Sequence, residues 1–299
     1  MNLPAPDPDA GHPSPARIYR GRLAPSPTGH LHLGHARTFW TAQQRAKAAG
    51  GEMILRNEDL DSTRYKMAFV TQMLEDLRWF GFEWSEGPDV GGPFAPYNQS
   101  ERMGFYQAAL EKLRIGNFIY PCTCSRKDIR DAVTAPHAAD DELIYPGTCR
   151  AKKLSTINSQ PSTKVAWRFR VPAGETIAFQ DKNLGEQKFV AGKGFGDFVV
   201  WRGDGVPAYQ LACVVDDAAM GITEVVRGAD LLVSTARQIL LYRALDAPPP
   251  GFFHCELMRD AQGERLAKRH DALSLKILRE QGFSPARLRA GWAAAGMPA

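Results

Sequence analysis

The sequence lacks a long hydrophobic run. No stretch of its 299 residues approaches the roughly 18 consecutive apolar residues of a membrane-spanning helix, and the N-terminus lacks the apolar segment of a signal peptide. Five cysteines are an odd number in a chain too long to need disulfides, which favours a reducing, cytoplasmic setting. The charge excess is small, with 37 Lys plus Arg against 33 Asp plus Glu, so a nucleic-acid partner is permitted but not required. These features argue against a membrane span, a coiled coil, a collagen and a small secreted disulfide-rich protein.

The chain has enough apolar residues to form a globular core after a short N-terminal tail. Hydrophobic residues make up 44% of the sequence and charged residues 23%, close to the average for globular proteins. Residues 1–16 differ, because they contain five prolines and no aromatic residue. Such a segment cannot bury enough apolar surface to offset its ordering entropy, so we predict a disordered tail there.

An alternation of short strands and helices predicts an α/β fold with a Rossmann-type parallel sheet. Strands are predicted at 18–23 and 52–56, and helices at 31–49 and 62–79. Strand–helix–strand units of this kind build parallel sheets. The same pattern resumes with a strand predicted at 197–201.

The segment between these two parts predicts an insertion of α+β type. Residues 120–160 are rich in turn formers, and residues 164–171 alternate between apolar and mostly basic side chains, as in an antiparallel strand with one exposed face. We therefore expect a parallel-sheet domain split between residues 17–118 and 197–260, with an inserted domain at 119–196.

The first candidate site lies in a loop between a strand and a helix, from Arg22 to His35, with the sequence RLAPSPTGHLHLGH. Backbone N–H groups and the helix dipole favour anions at such a helix start. His32 and His35 lie on one face of the first turn, and Gly34 between them leaves room for a flat group. The pattern predicts a nucleotide site with imidazoles against phosphates. The alternative is a Pro/Gly turn that carries histidines by chance.

Charged residues also follow two predicted strands. Glu58 comes just after the strand at 52–56, and Arg227 ends a strand predicted at 222–227. Ligands bind at the carboxyl ends of parallel strands, where a carboxylate can hold an ammonium group and an arginine can hold a carboxylate. The alternatives are an acidic helix cap for the first residue and a structural arginine for the second.

On these motifs the sequence resembles the class I aminoacyl-tRNA synthetases of the glutamyl type. The tetrad HLGH matches the HIGH signature of that class, and residues 22–29 match the opening signature of its glutamyl and glutaminyl branch. The resemblance implies catalytic roles for His32, His35 and Lys268. It implies a glutamate pocket with these members: Arg22, Leu23, Ala24, Pro25, Ser26, Glu58, Tyr209 and Arg227. It implies an ATP site with these members: His32, Gly34, His35, Arg265, Leu266, Ala267, Lys268 and Arg269.

The resemblance also implies how the pocket would match the three ionised groups of glutamate. Glu58 would meet the α-ammonium group, while Arg22 and Arg227 would supply positive charge for the two carboxylates. We assign Arg227 to the side chain of the substrate. An amide in place of the side-chain carboxylate would leave the charge of the arginine unpaired, which favours glutamate over glutamine.

The loop GERLAKR, from Gly263 to Arg269, occupies the position of the KMSKS loop of this class, which stabilises charge on the phosphates of ATP. It departs from that pattern, because Arg265 replaces the first lysine, Ala267 the first serine and Arg269 the last serine. Lys268 keeps the second lysine. Taken alone, such a basic loop would be a solvated surface, and its position in the chain favours the ATP site.

Three cysteines in the insertion form a candidate metal site. Cys122, Cys124 and Cys149 suit a structural zinc ion, which prefers four thiolate or imidazole ligands in a tetrahedron; the alternative is three buried cysteines. The nearby candidates for a fourth ligand are His137, Asp140, Asp141 and Tyr145. The resemblance points to Tyr145, because tRNA-modifying members of this branch carry a C-x-C…Y-x3-C site. We therefore expect a zinc-bearing insertion with one ion per chain.

The chain further resembles a shortened branch of this family, the glutamyl-Q tRNA(Asp) synthetases. Only 30 residues follow Arg269, whereas ordinary glutamyl-tRNA synthetases continue with a large helical anticodon-binding part. We expect residues 261–299 to hold the KMSKS-like loop and a short helical C-terminal segment, without an anticodon-binding domain. Members of this branch activate L-glutamate with ATP, without tRNA, and attach it to queuosine at the wobble position of tRNA(Asp).

The resemblance implies three partners, namely L-glutamate, ATP with Mg²⁺, and the anticodon stem-loop of queuosine-containing tRNA(Asp). We expect a cytoplasmic monomer with no membrane partner. Three alternatives remain: a truncated enzyme that charges tRNA(Glu), another nucleotidyltransferase of the HIGH superfamily, and a catalytically silent tRNA-binding protein. Residues 22–29 and Arg227 weigh against the second alternative, and only the altered loop around Ala267 favours the third.

Overall fold

The computed structural model describes residues 18–125, 127–129, 144–151, 165–258 and 274–294. The predicted N-terminal tail and the basic loop that begins at Gly263 lie outside the described residues. Within the described ranges, no helix combines the length and the hydropathy needed to cross a membrane.

Short strands and medium-length helices follow one another along the chain. The described strands are β1 (Arg20–Leu23), β2 (Glu52–Leu55), β3 (Ile119–Cys122), β4 (Ala166–Phe169), β5 (Thr176–Asp181), β6 (Gly185–Val190), β7 (Val199–Trp201), β8 (Glu224–Gly228) and β9 (Gly251–Cys255). The described α-helices are α1 (Leu33–Ala48), α2 (Met67–Phe80), α3 (Met103–Ile115), α4 (Tyr209–Ala219), α5 (Leu232–Ala244), α6 (Leu275–Glu280) and α7 (Pro285–Ala294). Single 3-10 turns lie at Gln99–Glu101 and Ala229–Leu231.

Parallel strands form the part of the fold that carries the predicted nucleotide loop. β1 pairs with β2 in parallel, and β8 pairs with β9 in parallel. The two pairs adjoin, because the backbone N–H of Thr223, just before β8, donates to the carbonyl oxygen of Arg20 in β1 at 2.9 Å. The predicted α/β fold with a parallel sheet is confirmed.

The hairpin of β5 and β6 extends this arrangement. β5 pairs with β9 in parallel and with β6 in antiparallel orientation, so the hydrogen-bonded order is β6-β5-β9-β8. Two strands from the predicted insertion at 119–196 therefore share a sheet with β9. The division of the chain into a split domain and an insertion remains a prediction.

The prediction that residues 197–201 resume the parallel pattern was wrong. β7 pairs with β4 in antiparallel orientation, in a separate sheet of order β3-β4-β7. A three-residue strand carries too little periodicity to indicate its partner, and pairing direction depends on distant residues that local pattern does not reveal.

Helix packing on the parallel strands fixes the position of the candidate site. The apolar face of α1 buries Ala36, Phe39, Ala42 and Ala46 in the same hydrophobic cluster as Leu23 and Leu55, from β1 and β2. These contacts hold the first turn of α1 beside the carboxyl end of β1. At the other end of the chain, Trp292 of α7 stacks on Phe80 of α2 with ring centroids 5.6 Å apart, which ties the C-terminal helices to the same cluster.

Candidate active site and metal centre

A cavity of about 680 Å³ opens at the carboxyl ends of β1 and β8 and at the first turn of α1. This volume lies in the range of small-ligand and cofactor sites, and the position is the one at which open parallel sheets bind ligands. Ten of the predicted site residues line it: Arg22, Ala24, Pro25, Ser26, His32, Gly34, His35, Glu58, Tyr209 and Arg227. The structure thus brings together residues that are far apart in the sequence.

Leu23 is the described member of the predicted glutamate pocket that does not line the cavity. Its side chain is fully buried in the hydrophobic cluster under α1. Successive side chains of a strand point to opposite faces. Arg22 points toward the cavity, and its neighbour Leu23 therefore points toward the core. The implied place of Leu23 in the glutamate pocket stays a prediction, and its side chain packs in the core beneath the cavity. The predicted ATP-site residues Arg265, Leu266, Ala267, Lys268 and Arg269 lie outside the described residues.

The two histidines of the HLGH tetrad cap α1 reciprocally. The Nδ1 atom of His32 accepts the backbone N–H groups of Gly34 and His35, at 3.1 and 3.4 Å, and Nδ1 of His35 accepts the backbone N–H of His32 at 3.3 Å. Because each Nδ1 acts as an acceptor, each neutral ring carries its proton on Nε2. The rings stack with centroids 3.6 Å apart. The pair therefore offers two neutral N–H donors at a helix start, a setting suited to phosphate oxygens.

Desolvation and mutual repulsion keep these imidazoles neutral. Burial lowers the pKa of His32 below its ordinary value, and desolvation by the surrounding protein together with the neighbouring His32 lowers the pKa of His35, although this residue keeps an exposed surface. The glycine between them leaves room for the capping ring, because a Cβ atom on Gly34 would lie 3.0 Å from Cε1 of His32 and the ring would have to shift by a few tenths of an ångström. We predicted that this glycine leaves room for a flat ligand, which stays a prediction; in the structure it leaves room for the capping imidazole.

Buried ion pairs hold the charged residues at the base of the cavity. Glu58 accepts from Nη2 of Arg56 at 2.9 Å, and Arg56 also pairs with Asp217 at 2.6 Å. Nε of Arg22 lies 3.3 Å from the same Asp217 carboxylate. Burial by itself would raise the pKa of Asp217, but Arg56 and Arg22 hold it below its usual value. Arg22 and Glu58 therefore have fixed charged partners behind the cavity. Glu58 pairs with Arg56 rather than capping a helix.

Arg227 faces the cavity from the end of β8, and its side chain is only 5% exposed. Its Nη2 donates to Oγ1 of Thr235 at 2.7 Å, and its Nη1 donates to the hydroxyl of Tyr209 at 3.4 Å. Tyr209 begins α4, so this contact links the predicted pocket residues of two elements. A guanidinium held in this way keeps its remaining N–H groups available for a ligand.

Sequence reasoning missed a buried group behind Arg227. His254 of β9 and Asp181 of β5 are each almost fully inaccessible, and they are joined by a 2.6 Å contact between Nδ1 and Oδ2. His254 Nε2 lies 3.3 Å from Nε of Arg227. Neither residue belongs to a recognisable local motif. The only signal in the sequence is the presence of two polar residues within apolar strand segments.

The three cysteines of the predicted metal site come together, and they could hold a metal ion. The sulfur atoms of Cys122, Cys124 and Cys149 all lie within 4.8 Å of one another. The hydroxyl of Tyr145 lies 3.4 Å from the sulfurs of both Cys122 and Cys124. The other candidate ligands, His137, Asp140 and Asp141, lie outside the described residues.

The donor set fits a tetrahedral ion. Zinc bonded to sulfur at about 2.3 Å and to oxygen at about 2.0 Å would separate neighbouring oxygen and sulfur ligands by about 3.5 Å. The observed separations of 3.4 Å agree with this geometry. Arg168 adds a compensating charge, because its Nε donates to the sulfur of Cys122 at 3.3 Å and its guanidinium lies over the ring of Tyr145. Such outer contacts are typical of metal centres.

Comparison with known proteins agrees with these observations. Residues 19–299 match the family described as tRNA synthetases class I (E and Q), catalytic domain. The chain is 50% identical over 268 residues to the glutamyl-Q tRNA(Asp) synthetase of Symbiobacterium thermophilum, covering 89% of this chain and 82% of that protein. It is 47% identical over 273 residues to the protein of the same name from Nitratidesulfovibrio vulgaris, covering 91% and 84%.

A solved structure gives the same result for the fold. The glutamate-tRNA synthetase from Elizabethkingia anophelis is similar with a TM-score of 0.75 at 31% sequence identity. The similarity covers 89% of this chain and 54% of that one, so the chain spans about half the length of that synthetase.

Proposed function

The chain belongs to the family of class I tRNA synthetases for glutamate and glutamine and is a ligase, and within this family we propose that it glutamylates queuosine in tRNA(Asp). The reaction has two steps, activation of L-glutamate by ATP without tRNA and transfer of the glutamyl group to the modified base at the wobble position. The observation that carries the proposal is a single cavity. His32 and His35 line it at the start of α1, and Arg22, Glu58 and Arg227 line its floor.

In the first step, an oxygen of the α-carboxylate of glutamate attacks the α-phosphorus of ATP. A new P–O bond forms, the bond to the bridging oxygen breaks, and pyrophosphate leaves. Mg²⁺ bound with ATP would offset negative charge on the phosphates. The neutral Nε2–H groups of His32 and His35 donate to phosphate oxygens, on which charge develops. Lys268, in the KMSKS-like loop, is proposed to stabilise the same phosphate charge. Positioning and charge stabilisation carry this step, so a covalent enzyme nucleophile is not needed.

Recognition of glutamate follows from the fixed charges. Glu58 is proposed to bind the α-ammonium group, and Arg22 supplies positive charge near the α-carboxylate. Arg227 is proposed to bind the side-chain carboxylate, for which an arginine offers paired N–H donors. Glutamine would leave this guanidinium desolvated and incompletely paired, which lowers its affinity.

In the second step, a hydroxyl of the cyclopentenediol ring of queuosine attacks the carbonyl carbon of glutamyl-adenylate. An ester bond forms, AMP leaves, and the hydroxyl proton is lost to solvent or to AMP. We propose that the anticodon stem-loop of tRNA(Asp) docks on the catalytic core itself. The two relatives that are about half identical to this chain carry the name glutamyl-Q tRNA(Asp) synthetase, and this similarity supports the choice of acceptor.

We propose that the cysteine cluster holds one structural zinc ion per chain, with Tyr145 as the fourth ligand. Zinc would hold the end of β3, which carries Cys122, to the segment around Cys149. The zinc supplies cross-linking and takes no part in the reaction steps. The backbone N–H of Cys149 donates to the hydroxyl of Tyr145 at 2.9 Å, which would stabilise a phenolate ligand.

The activation step is tested by ATP–pyrophosphate exchange in the absence of tRNA. We expect exchange with L-glutamate, and markedly weaker exchange with glutamine and aspartate. Exchange that requires tRNA would indicate a charging enzyme of the ordinary glutamyl type. The absence of exchange with every amino acid, with or without tRNA, would contradict the proposal and leave a tRNA-binding protein without this activity.

A further inference from the structure

The side chains of Asp181, His254 and Arg227 form a continuous line across three adjacent strands. β9 lies between β5 and β8 in the sheet, and His254 is the direct cross-strand neighbour of Arg227. Oδ2 of Asp181 contacts Nδ1 of His254 at 2.6 Å, and Nε2 of His254 contacts Nε of Arg227 at 3.3 Å. Asp181 and His254 are almost fully inaccessible, so neither can touch a substrate in the cavity.

The contacts of Asp181 determine which nitrogen of His254 carries the proton. Its Oδ1 accepts the backbone N–H groups of Asn183 and Leu184, at 3.0 and 2.9 Å, and Oδ2 faces the imidazole. The backbone N–H of His254 donates to the same carboxylate, at 3.3 Å from Oδ1 and 3.2 Å from Oδ2. These contacts favour the ionised carboxylate, which can only accept hydrogen bonds. Nδ1 of His254 therefore donates, and Nε2 of the neutral ring is left as an acceptor.

An acceptor at Nε2 is what Arg227 requires. Arginine has five N–H groups and no acceptor. Three are used inside the protein, by Nε to His254, by Nη1 to Tyr209 and by Nη2 to Thr235. One N–H remains on each terminal nitrogen, the number that a carboxylate accepts in a two-point contact. Oγ1 of Thr235 also lies 2.9 Å from Nε2 of His254, so in this tautomer the hydroxyl of Thr235 and the Nε–H of Arg227 donate to the same lone pair.

We propose that Asp181 and His254 are positioning residues that orient Arg227 for the side-chain carboxylate of the amino acid substrate. This role rests on the proposed function, because it presumes that glutamate binds in the cavity. The pair acts through Arg227 alone. It is therefore expected to affect the binding of glutamate and the discrimination against glutamine, and to leave the binding of ATP unchanged.

The isosteric substitution Asp181→Asn tests this role with little change in volume. The Oδ1 atom of the asparagine can keep the backbone contacts with Asn183, Leu184 and His254, which places its NH₂ group opposite Nδ1 of His254. The imidazole then carries its proton on Nε2, and a donor faces the Nε–H of Arg227. We expect the KM for glutamate in ATP–pyrophosphate exchange to rise about 10-fold or more, because a hydrogen bond to a charged group is lost. The KM for ATP is expected to stay within about twofold, because the lost hydrogen bond is to Arg227 and no contact proposed for ATP changes.

Two substitutions of the histidine separate its two contacts. His254→Gln places an amide oxygen near the position of Nε2 and can retain an acceptor for Arg227. His254→Asn places an amide nitrogen near the position of Nδ1 and retains only the contact with Asp181. We expect His254→Gln to preserve the preference for glutamate over glutamine better than His254→Asn does. Equal losses in both variants, with KM for ATP rising in parallel, would indicate a purely structural role and would overturn the proposal.

Cys255→Ala is the matched control, because Cys255 is the next residue of β9 and its side chain packs in the cluster on the α1 side. It is expected to lower the melting temperature and to leave the KM for glutamate unchanged. The position of the imidazole proton is read independently by NMR of ¹⁵N-labelled histidine. Wild-type protein is expected to show Nδ1–H and Asp181→Asn to show Nε2–H at His254; an unchanged Nδ1–H form in the variant would contradict the proposed arrangement even if folding is impaired.

The measurement on wild-type protein separates a failure of the proposed function from a failure of the positioning role. Wild-type protein without glutamate-dependent exchange would overturn the proposed function, and the positioning role with it. Wild-type protein that exchanges with glutamate, together with Asp181→Asn at an unchanged KM for glutamate, would overturn the positioning role alone.

Discussion

The hydroxyl of Tyr145 lies 3.4 Å from the sulfur of Cys122, next to a cluster of three thiols. Burial together with the neighbouring thiols raises the pKa of Tyr145 above its usual value. A phenolate at this position therefore needs a cation, and the geometry of the cluster suits zinc.

The first prediction concerns the metal content of the protein. Cys122→Ser is expected to purify without stoichiometric zinc, and Tyr145→Phe to bind zinc about 10-fold or more weakly, because one of four ligands is lost. Metal analysis and a competition titration with a chromogenic chelator measure both effects. Cys255→Ser is the control, since its thiol lies outside the cluster. Zinc binding by Cys122→Ser that equals the wild-type value would refute the assignment.

The second prediction concerns the choice between glutamate and glutamine. Arg227→Met is expected to reduce kcat/KM for glutamate on the order of 100-fold or more, because truncating one partner of a buried charge pair costs several kcal/mol. The effect on glutamine should be much smaller. Arg243→Ala is a control on α5, because Arg243 is exposed and pairs with exposed Glu175. A variant that loses both amino acids equally would show that Arg227 is not specific for the side chain.

The third prediction concerns the glycine of the HLGH tetrad. A Cβ atom in Gly34→Ala would lie 3.0 Å from the ring of His32 and would push the ring by a few tenths of an ångström, which weakens its capping contacts. We expect kcat for the exchange reaction to fall about 10-fold or more, because the phosphates lose one aligned donor. Gly104→Ala in α3 is the control, since no atom lies within 4 Å of the added Cβ. Full activity in Gly34→Ala would argue against a role for the His32 orientation.

The fourth prediction concerns stability at mildly acidic pH. Burial and the positive charge of Arg227 lower the pKa of His254 to about 4, against an ordinary value near 6.5. The unfolded chain therefore binds a proton at higher pH than the folded protein does. The contribution of His254 to stability is fully present above pH 6.5 and is lost as pH falls from 6.5 toward 4, at up to about 1.4 kcal/mol per pH unit.

Urea denaturation at pH 7 and pH 5 measures this dependence. His254→Gln should be less stable than wild type at pH 7 and should lose less stability between the two pH values, because the titrating group is absent. Identical pH slopes in the two proteins would show that His254 does not titrate in this window.

Local sequence patterns predicted the parts of the fold that depend on near neighbours. The predicted helix at 31–49 corresponds to α1 at Leu33–Ala48, and the predicted strand at 52–56 corresponds to β2 at Glu52–Leu55. The predicted helix at 62–79 begins five residues too early, because α2 starts at Met67 without a side-chain cap that would mark its start. Strand pairing was less predictable, as β7 demonstrates.

The predicted site came from recognised motifs, and the groups behind it did not. Arg22, Glu58 and Arg227 were selected because each lies in a motif, and the structure places all three on one cavity. Their buried partners Asp217 and His254 carry no local pattern, since a buried polar residue is defined by distant residues that satisfy it. Sequence alone therefore indicates which side chains meet a ligand, whereas the residues that hold them require the fold.

The most direct test of the central proposal is the transfer of labelled glutamate to defined tRNAs. The acceptors are tRNA(Asp) with queuosine, the same tRNA(Asp) with unmodified guanine at the wobble position, and tRNA(Glu). We expect label on the queuosine-containing tRNA(Asp) only. Label on tRNA(Glu), or equal label on both forms of tRNA(Asp), would contradict the proposed acceptor.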